Sequence, residues 1–558
     1  MKLKSFFILL GIASATLLLV GVSFFLTLLG ETPLSLLKAN AKTIPTATVF
    51  VPKNAPFTAS LLVNPDRLEA FRQVLAEPKQ RQRSHQEFNR FKKILLGNTG
   101  LNYKRDIKPW LGGEITLSLI AADIDRDSSN DKQPGYLLAL TSQNPQQSQE
   151  FMELFWQRQA VSGVMVTSET YRGVSITYRQ RESVELAPTL ATAVLGDRFI
   201  LFANYPKVLR EAINNFQVST LNLANSQTYK KAIAALDSSQ IGLVFLNLGN
   251  WELTPDEINA LPIQPSLALG LTLNPQGLLA DTAIIATTSE EFEPPLLSEP
   301  PKALNYISAN SPLVVTGRDL KDLWAQTSGT LGSNETLGGV LTRARVSIQE
   351  SWGVDLPEDI FNWVTEEYAL ALVPHPIGDR NDWVFVAKRT PGAATAIEAL
   401  DAIATERGYS VGSFVLGDYT LWAWTQLKTV PIKSKNKTSP KKQMIEAEAM
   451  GVHATVGDYE IFTTSVEAID AAIHRVETGN ILTNPEFSNS IKLLSGKNDG
   501  YFYIDWDVSR PILRQQMPLL RLVELSAQPF FNHLRSLTIS ARGRENGVQK
   551  ATVFAHLQ

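Results

Sequence analysis

The chain has 558 residues, of which 44% are apolar and 19% are charged, and its formal net charge is -3. This length is generous for one domain and sufficient for two with an anchor. The small negative charge argues against a nucleic-acid-binding protein, which is usually strongly basic on one face. The absence of cysteine excludes disulfides, thiolate catalysis and cysteine metal ligands.

The N-terminus predicts a transmembrane anchor. Lys2 and Lys4 precede a mainly apolar run over residues 6–30, which is long enough to cross a bilayer as a helix. Charge bias places residues 1–5 in the cytoplasm and the bulk of the chain in the periplasm or another extracytoplasmic space. A signal peptide cleaved after Ala41 is the alternative. The apolar run is longer than a signal peptide usually carries and ends well before that site.

Two units follow the anchor. Residues 31–45 form a short polar tether, and the units span 46–290 and 303–558. The acidic, proline-rich linker between them, 291–302, is typical of a short semi-stiff spacer. The second unit contains an insertion at 433–444 with five lysines and almost nothing apolar, which predicts a disordered surface loop.

The two units share a block of sequence. It runs from Gly100 as GLNYKRDIKPWLGGEITLSLI and from Gly353 as GVDLPEDIFNWVTEEYALALV, and the copies align without a gap. Each copy ends in the alternating pattern of a β-strand. An aspartate, a tryptophan and a glutamate recur at matching positions. We interpret these residues as structural anchors of the repeat: Asp106, Trp110, Glu114, Asp359, Trp363 and Glu367.

The aspartate and glutamate of each block could instead form an acid/base pair. The structural interpretation is favoured, because the aspartate precedes Ile-x-x-Trp as a helix N-cap does and the tryptophan suits a core position. A single active site would also need only one copy of the set.

The remaining patterns also recur in both units. Each unit opens with a predicted strand, within VFVPKNAPFTASLLV and NYISANSPLVVT, and hairpins then alternate with one-sided helices. Gly-Asp dipeptides at Gly196 and Gly457 predict hairpin turns. We therefore expect an α+β fold, with two tandem homologous domains of antiparallel sheet covered by helices. Helices are predicted near 68–75, 88–95, 151–156, 208–213, 396–403 and 469–473.

The anchor, the Pro-x-x-Ala-Pro opening at Pro52, the D-I-x-x-W-x-x-x-E block and the later L-G-D hairpin together resemble an uncharacterised family. Its members are membrane-anchored, envelope-associated proteins, mostly cyanobacterial, which are known only as a domain of unknown function. The resemblance covers most of the chain after the anchor. It implies an envelope location and transfers no catalytic residue.

One loop spaces its carboxylates as calcium loops do. It lacks the glycine at the sixth position, and Pro134 replaces the glutamate at the twelfth. A solvated hairpin tip is therefore favoured, and calcium is the alternative. The candidate ligands are Asp123, Asp125, Asp127 and Asp131.

Other catalytic patterns are poorly supported. The segment from Gly408 to Gly412 matches the G-x-S-x-G nucleophile elbow, but here a predicted helix leads into a strand, which is the reverse of the elbow. Gly408 is better interpreted as a helix C-cap. The six histidines show no zinc-ligand spacing and are interpreted as structural, and no phosphate-binding glycine loop is present.

These patterns predict an extracytoplasmic binding or scaffold protein for an envelope protein or an apolar ligand, with the groove between the units as the expected site. No catalytic residue, cofactor or nucleic-acid partner is predicted. One alternative is a hydrolase whose active site is not visible in the sequence; its polar residues should then cluster in one unit, with apolar residues at the matching positions of the other. A purely structural spacer is the remaining alternative.

Overall fold

The predicted anchor at 6–30, most of the tether and the first half of the linker lie outside the described residues, as do the helices predicted near 68–75 and 88–95. Among the described residues, no helix is both long enough and apolar enough to span a bilayer. The computed structural model describes residues 44–63, 103–126, 133–180, 189–236, 240–247, 266–274, 276–285, 297–324, 346, 349–350, 353–375, 380–431, 443–494, 497–516, 528–545 and 547–557.

The described part of the first unit contains ten strands and three α-helices. The strands are β1 (Phe57–Leu61), β2 (Leu111–Ala121), β3 (Gly135–Ser142), β4 (Val166–Tyr171), β5 (Val174–Arg179), β6 (Ala191–Leu195), β7 (Phe199–Ala203), β8 (Gly242–Asn247), β9 (Ser266–Asn274) and β10 (Gly277–Ile285). The helices are α1 (Pro145–Val161), α2 (Pro206–Gln217) and α3 (Gln227–Ala234).

The described part of the second unit contains ten strands and five α-helices. The strands are β11 (Leu313–Gly317), β12 (Tyr368–Pro374), β13 (Asn381–Lys388), β14 (Ser410–Leu416), β15 (Tyr419–Pro431), β16 (Gln443–Val456), β17 (Tyr459–Thr463), β18 (Gly500–Asp505), β19 (Leu534–Glu545) and β20 (Val548–Leu557). The helices are α4 (Ala393–Glu406), α5 (Val466–Thr478), α6 (Pro485–Leu493), α7 (Trp506–Gln516) and α8 (Gln528–His533).

All described strand pairs are antiparallel, and the strand order is the same in the two units. It runs β4-β5-β6-β7-β3-β2-β1-β8-β9-β10 in the first unit. It runs β14-β15-β16-β17-β13-β12-β11-β18-β19-β20 in the second. The prediction of an antiparallel sheet with helices, an α+β fold, is confirmed for the described residues.

The two units join edge to edge. β10 pairs with β20 over nine residue pairs, from Gly277 opposite His556 to Ile285 opposite Val548, so the described strands form one sheet. Apolar side chains of both units pack together beside this joint. The joint is continuous sheet, so the paired strands leave no groove between them over these nine pairs.

Helices cover the sheet through narrow apolar faces, as the sequence predicts. On α2 the buried positions follow the helical period, and α5 buries the same positions of the second unit. The predicted helices near 151–156 and 396–403 are α1 and α4. The matched buried sets are Val208, Leu209, Ala212 and Ile213 on α2, and Ala468, Ile469, Ala472 and Ile473 on α5.

The predicted opening strand begins later than expected in both units. The segments Thr46–Phe50 and Lys302–Tyr306 are 3-10 helices, and β1 and β11 begin only at Phe57 and Leu313. A proline with φ near -55° precedes each 3-10 helix, which is the conformation that starts a helical turn. The apolar run at residues 49–51 therefore packs as a helical turn.

The predicted hairpin glycines are confirmed, and one predicted boundary is wrong. Gly196 has a φ of +56° and Gly457 a φ of +58°, the left-handed conformation that glycine adopts without strain. The end of the predicted insertion at 433–444 is strand, because Gln443 and Met444 pair with Pro431 and Val430 of β15. Residues 433–442 lie outside the described residues.

Asp281 at the joint generates a test of the edge-to-edge pairing. Its carboxylate is buried and accepts hydrogen bonds from Thr552 Oγ1 at 3.0 Å and from Arg542 at 3.4 Å, both in the second unit. We expect Asp281→Ala to lower the free energy of unfolding by about 2 kcal/mol, because it removes the carboxylate beside a largely buried guanidinium. Urea denaturation measures the change. Asp281→Asn keeps an acceptor for Thr552 and should lose less, and equal stability of all three proteins would contradict this role.

Candidate functional site

A cavity of about 880 Å³ lies within the second unit. Its walls are the start of β13, one side of α4, the first turn of α5 and the β15–β16 hairpin. This volume lies in the range of small-molecule binding sites.

Buried polar side chains form a hydrogen-bonded chain at the β13 wall. His375 Nδ1 lies 2.5 Å from Asp382 Oδ2, and Thr464 Oγ1 donates to Asp382 Oδ1 over 2.9 Å. Arg380 lies 2.8 Å from His375 Nε2. An arginine can only donate, so Nε2 accepts and the Nδ1–H group donates to Asp382. Because His375 and Asp382 are 5% and 4% exposed, this chain fixes the direction of the Asp382 carboxylate.

A shared backbone hydrogen bond identifies the matching positions of the first unit. The Tyr136 N–H group donates to Asn204 Oδ1 over 2.8 Å, and the Trp383 N–H group donates to Thr464 Oγ1 over 3.0 Å. In each unit the bond joins the third strand of the sheet to the residue that follows its seventh strand. Tyr136 therefore matches Trp383, and Asn204 matches Thr464.

The first unit is apolar where the second holds the buried carboxylate. The residue before Tyr136 is Gly135, at the position of Asp382. A Cβ atom on Gly135 would lie 3.0 Å from Val208 and 3.2 Å from Ile124, both of which are buried. A side chain at this position would crowd Val208 and Ile124, so the nearest surroundings are apolar.

A second pair of matching positions also differs, although both members are polar. Thr192 and His453 each lie four residues before the hairpin glycine of their unit. In the first unit Trp156 Nε1 donates to Thr192 Oγ1 over 2.8 Å. In the second unit Asp401 Oδ1 lies 3.1 Å from His453 Nε2 and accepts from Trp424 Nε1 over 2.6 Å.

Side-chain size explains why the cavity lies in the second unit. Helix α1 buries Phe155 and Trp156 against the sheet, with their rings 5.2 Å apart. Helix α4 places Leu400 and Ala404 at the cavity wall. The smaller side chains of α4 leave open the space between helix and sheet.

The sequence prediction did not identify this site. His375 and His453 were expected to be structural, and their partners carried no motif. Alignment of the two units could have identified it, because Asp382 and His453 are aligned with residues of a different kind, Gly135 and Thr192.

The predicted repeat anchors lie elsewhere and make matching contacts in the two units. Trp110 Nε1 donates to the Asp106 carbonyl over 2.8 Å, and Trp363 Nε1 donates to the Asp359 carbonyl over 3.1 Å. Both tryptophans are buried. Each indole therefore ties its own turn to the sheet.

The expectation that the two aspartates act as helix N-caps is wrong. They lie inside the π-helical turns Tyr103–Ile107 and Leu356–Phe361. Asp359 Oδ2 accepts from the Asp355 N–H group, four residues earlier, over 2.7 Å.

Glu114 holds the opening 3-10 helix of the first unit. It is buried, and it accepts from the N–H groups of Thr46 at 2.9 Å and Ala47 at 2.7 Å and from the Thr46 hydroxyl at 2.6 Å. Helix N-termini carry N–H groups without intrahelical partners, and a carboxylate satisfies them. These three hydrogen bonds give the Glu114 carboxylate a structural role at the start of the 3-10 helix.

Glu367 does the same in the second unit. It accepts from the Lys302 N–H group over 2.9 Å and from the Tyr459 hydroxyl. Burial, together with the hydrogen bond and charge of Glu367, raises the pKa of Tyr459 above its ordinary value. The phenol therefore stays protonated and donates across the physiological range.

The calcium candidates are only partly described. Asp123 Oδ1 accepts from the Gln133 N–H group over 3.1 Å and so closes the base of its loop. Asp127 and Asp131 lie outside the described residues. Within the described ranges, no group of three or more histidine, aspartate or glutamate side chains could hold a metal ion.

The G-x-S-x-G segment has the order that the sequence predicts. Gly408 follows α4 with a φ of +84°, and its N–H group donates to the Thr405 carbonyl over 2.9 Å. Ser410 begins β14. The segment is a helix-to-strand connection and cannot form a nucleophile elbow.

Comparison with known families settles the membership of the chain. The family profile described as "Protein of unknown function (DUF3352)" matches residues 10–557. The chain belongs to the DUF3352 family. This confirms the inferred membership of a family of unknown function, and a search of curated proteins found no match.

Two solved structures are similar to the chain at low identity. Crystal form III of TP0453 is 12% identical, with 46% of this chain and 84% of that chain covered and a TM-score of 0.25. Crystal form I of TP0453 is 11% identical, with coverages of 45% and 82% and a TM-score of 0.24. At these TM-scores the likeness supports no conclusion about fold or function.

The contacts of Glu114 predict a structural effect of its removal. We expect Glu114→Ala to lower the free energy of unfolding by about 2 kcal/mol, because two N–H groups lose their acceptor in a buried place. Urea denaturation measures the loss. The exposed Glu153 on α1 provides the control, and Glu153→Ala should change stability by less than about 0.5 kcal/mol. A comparable loss in both variants would contradict the capping role.

Proposed function

We propose that this DUF3352 protein is a ligand-binding protein and that its second unit holds the ligand in the cavity beside Asp382. The observation that carries this proposal is the difference between two units of the same strand order. The first unit packs Phe155 and Trp156 of α1 against the sheet, whereas the second has a cavity of about 880 Å³ beside the smaller side chains of α4. The buried chain of hydrogen bonds at β13 holds its polar groups in fixed directions at the cavity wall, and such preset groups favour binding of a polar ligand.

We also propose that the two units are tandem homologous domains that arose by duplication. The identical order of their ten strands supports this, as do the matched tryptophan-to-carbonyl bonds at Asp106 and Asp359. The glutamate contacts to both opening 3-10 helices support it further. Duplication leaves one copy free to change, which agrees with the different packing under α1 and α4.

An extracytoplasmic hydrolase is the alternative, and two observations favour it. The polar chain at Asp382 lies opposite Gly135 and its apolar neighbours in the first unit, which is the asymmetry expected of a catalytic site. The buried His375–Asp382 pair resembles a general base held by an orienting carboxylate. However, Arg380 occupies Nε2, the nitrogen that would take a proton, and the Thr464 hydroxyl donates to the aspartate. Binding is therefore the better-supported function. If the protein converts the bound ligand, and His375→Ala abolishes that turnover without weakening binding, the hydrolase becomes the better-supported function.

The proposed location is the outer side of a membrane, in the periplasm or another extracytoplasmic space, with residues 6–30 as a single-pass anchor. The uncharged apolar run after two lysines supports it. The resemblance to envelope-associated proteins, mostly cyanobacterial, agrees with it. An envelope protein as binding partner stays a second candidate for the ligand.

Native mass spectrometry tests the cavity as the binding site. A ligand should co-purify with the full-length protein extracted gently from its own membranes. Ala404 lines the cavity at 5% exposure, and Ala404→Phe should remove the added mass by filling the site. Ala402 is exposed on the same helix, and Ala402→Phe should retain it. Retention in both variants would place the ligand elsewhere, and an added protein mass would indicate a partner.

Membrane fractionation tests the anchor. The full-length protein should stay in the membrane pellet after carbonate washing, and removal of residues 2–30 should move it to the soluble fraction. N-terminal sequencing of the mature protein distinguishes the alternative. A chain that begins at Lys42 would mean that a signal peptide is cleaved after Ala41, and the anchor proposal would then be wrong.

A further inference from the structure

Aromatic rings lie on two sides of the cavity in the second unit. Trp383 lines it from β13 and is 39% exposed, which is high for a tryptophan, and Trp424 lines it from β15. The Trp424 indole N–H group is already bound to Asp401. A Cβ atom on Gly451 would lie 2.5 Å from ring atom Cε3, so glycine lets the ring pack flat against the neighbouring strand. Trp424 is therefore held in place and offers ring surface rather than a hydrogen-bond donor.

Planar polar groups stand beside these rings. Arg380, Asn381 and Asp382 are consecutive with Trp383, and all four line the cavity. Asp382 is 4% exposed and bonded to His375 and Thr464, so it acts on the cavity by orienting His375 and, through it, Arg380, while Asn381 is exposed on the same side of the strand as Trp383. An arginine has about five N–H donors, and His375 takes one of those of Arg380. Paired donors and acceptors thus remain for a ligand, in directions that the buried chain fixes.

The charges around the cavity are mixed in sign. Lys428 and Glu448 pair with each other across the hairpin, and Glu467 lies in the first turn of α5. A purely apolar ligand would strip water from these groups and return no hydrogen bonds, which is unfavourable. A strongly charged ligand would meet a like charge on one wall. The lining favours a neutral ligand that has both apolar faces and many hydroxyl groups.

We propose that the cavity binds a neutral saccharide. The C–H faces of its rings would pack on Trp383 and Trp424, and neighbouring hydroxyl groups would bond to Asn381 and Arg380. A volume of about 880 Å³ accommodates a short oligosaccharide. The inference rests on the proposed binding function and replaces the apolar ligand that the sequence led us to expect.

Titration of the full-length protein in detergent with three probes, maltohexaose, cellohexaose and chitohexaose, tests the inference through tryptophan fluorescence and calorimetry. We expect at least one to bind, with a dissociation constant that rises about tenfold in Trp383→Ala. Trp383→Phe keeps a ring and should recover most of the affinity. Trp422 is 43% exposed on β15 and lies outside the cavity lining, so Trp422→Ala should bind as the unchanged protein does.

The apolar dye N-phenyl-1-naphthylamine distinguishes failure of the saccharide inference from failure of the proposed binding function. If no saccharide binds while the dye binds and Ala404→Phe abolishes its signal, the saccharide inference is wrong and the binding function stands. If saccharide affinity is equal in the unchanged protein and Trp383→Ala, the inference is also wrong. If neither class of probe binds and native mass spectrometry shows no ligand, both proposals are overturned.

Discussion

The pairing of β10 with β20 is the constraint on which the described architecture depends. Each of these strands would otherwise be a long exposed edge, and such edges recruit other chains. Nine residue pairs close both edges at once, and Asp281 of one unit bonds to Thr552 and Arg542 of the other. The joint thereby turns two ten-stranded sheets into one. The paired edges leave no gap between them, and the cavity that the described residues form lies inside the second unit.

Within that common frame the units are packed in different ways. The anchoring contacts are the same, since Trp110 and Trp363 bond to equivalent carbonyls and Glu114 and Glu367 hold equivalent 3-10 helices. These contacts maintain the fold in both units and leave the space under α1 and α4 free to vary. That space is filled by aromatic side chains in the first unit and is open in the second. The two units thus share their anchoring contacts and differ in the packing under α1 and α4, and the binding proposal explains this difference.

The buried polar chain at β13 limits what the open interior can do. Each member satisfies the next, from Thr464 through Asp382 and His375 to Arg380, so the chain is stable without a ligand. Its acceptors and donors are oriented but not arranged around a free nucleophile. This geometry suits recognition of hydroxyl groups better than transfer of a proton. The adjacent rings of Trp383 and Trp424 supply the apolar part of the same surface.

The features that depend only on neighbouring residues could be predicted from the sequence alone. The hairpins at Gly196 and Gly457, the apolar faces of α2 and α5 and the helix-to-strand order at Gly408 depend on neighbouring residues, so their patterns are visible in the sequence. The block of sequence that occurs at both Gly100 and Gly353 predicted two similar units, because its pattern is also local. Tertiary structure decided what depends on distant partners. Glu114 caps residues 67 and 68 positions earlier, and β10 meets a strand about 270 residues away. His375, Asp382 and Thr464 form one chain only because the third and seventh strands of the unit are neighbours, and the cavity exists because side chains on separate elements are small.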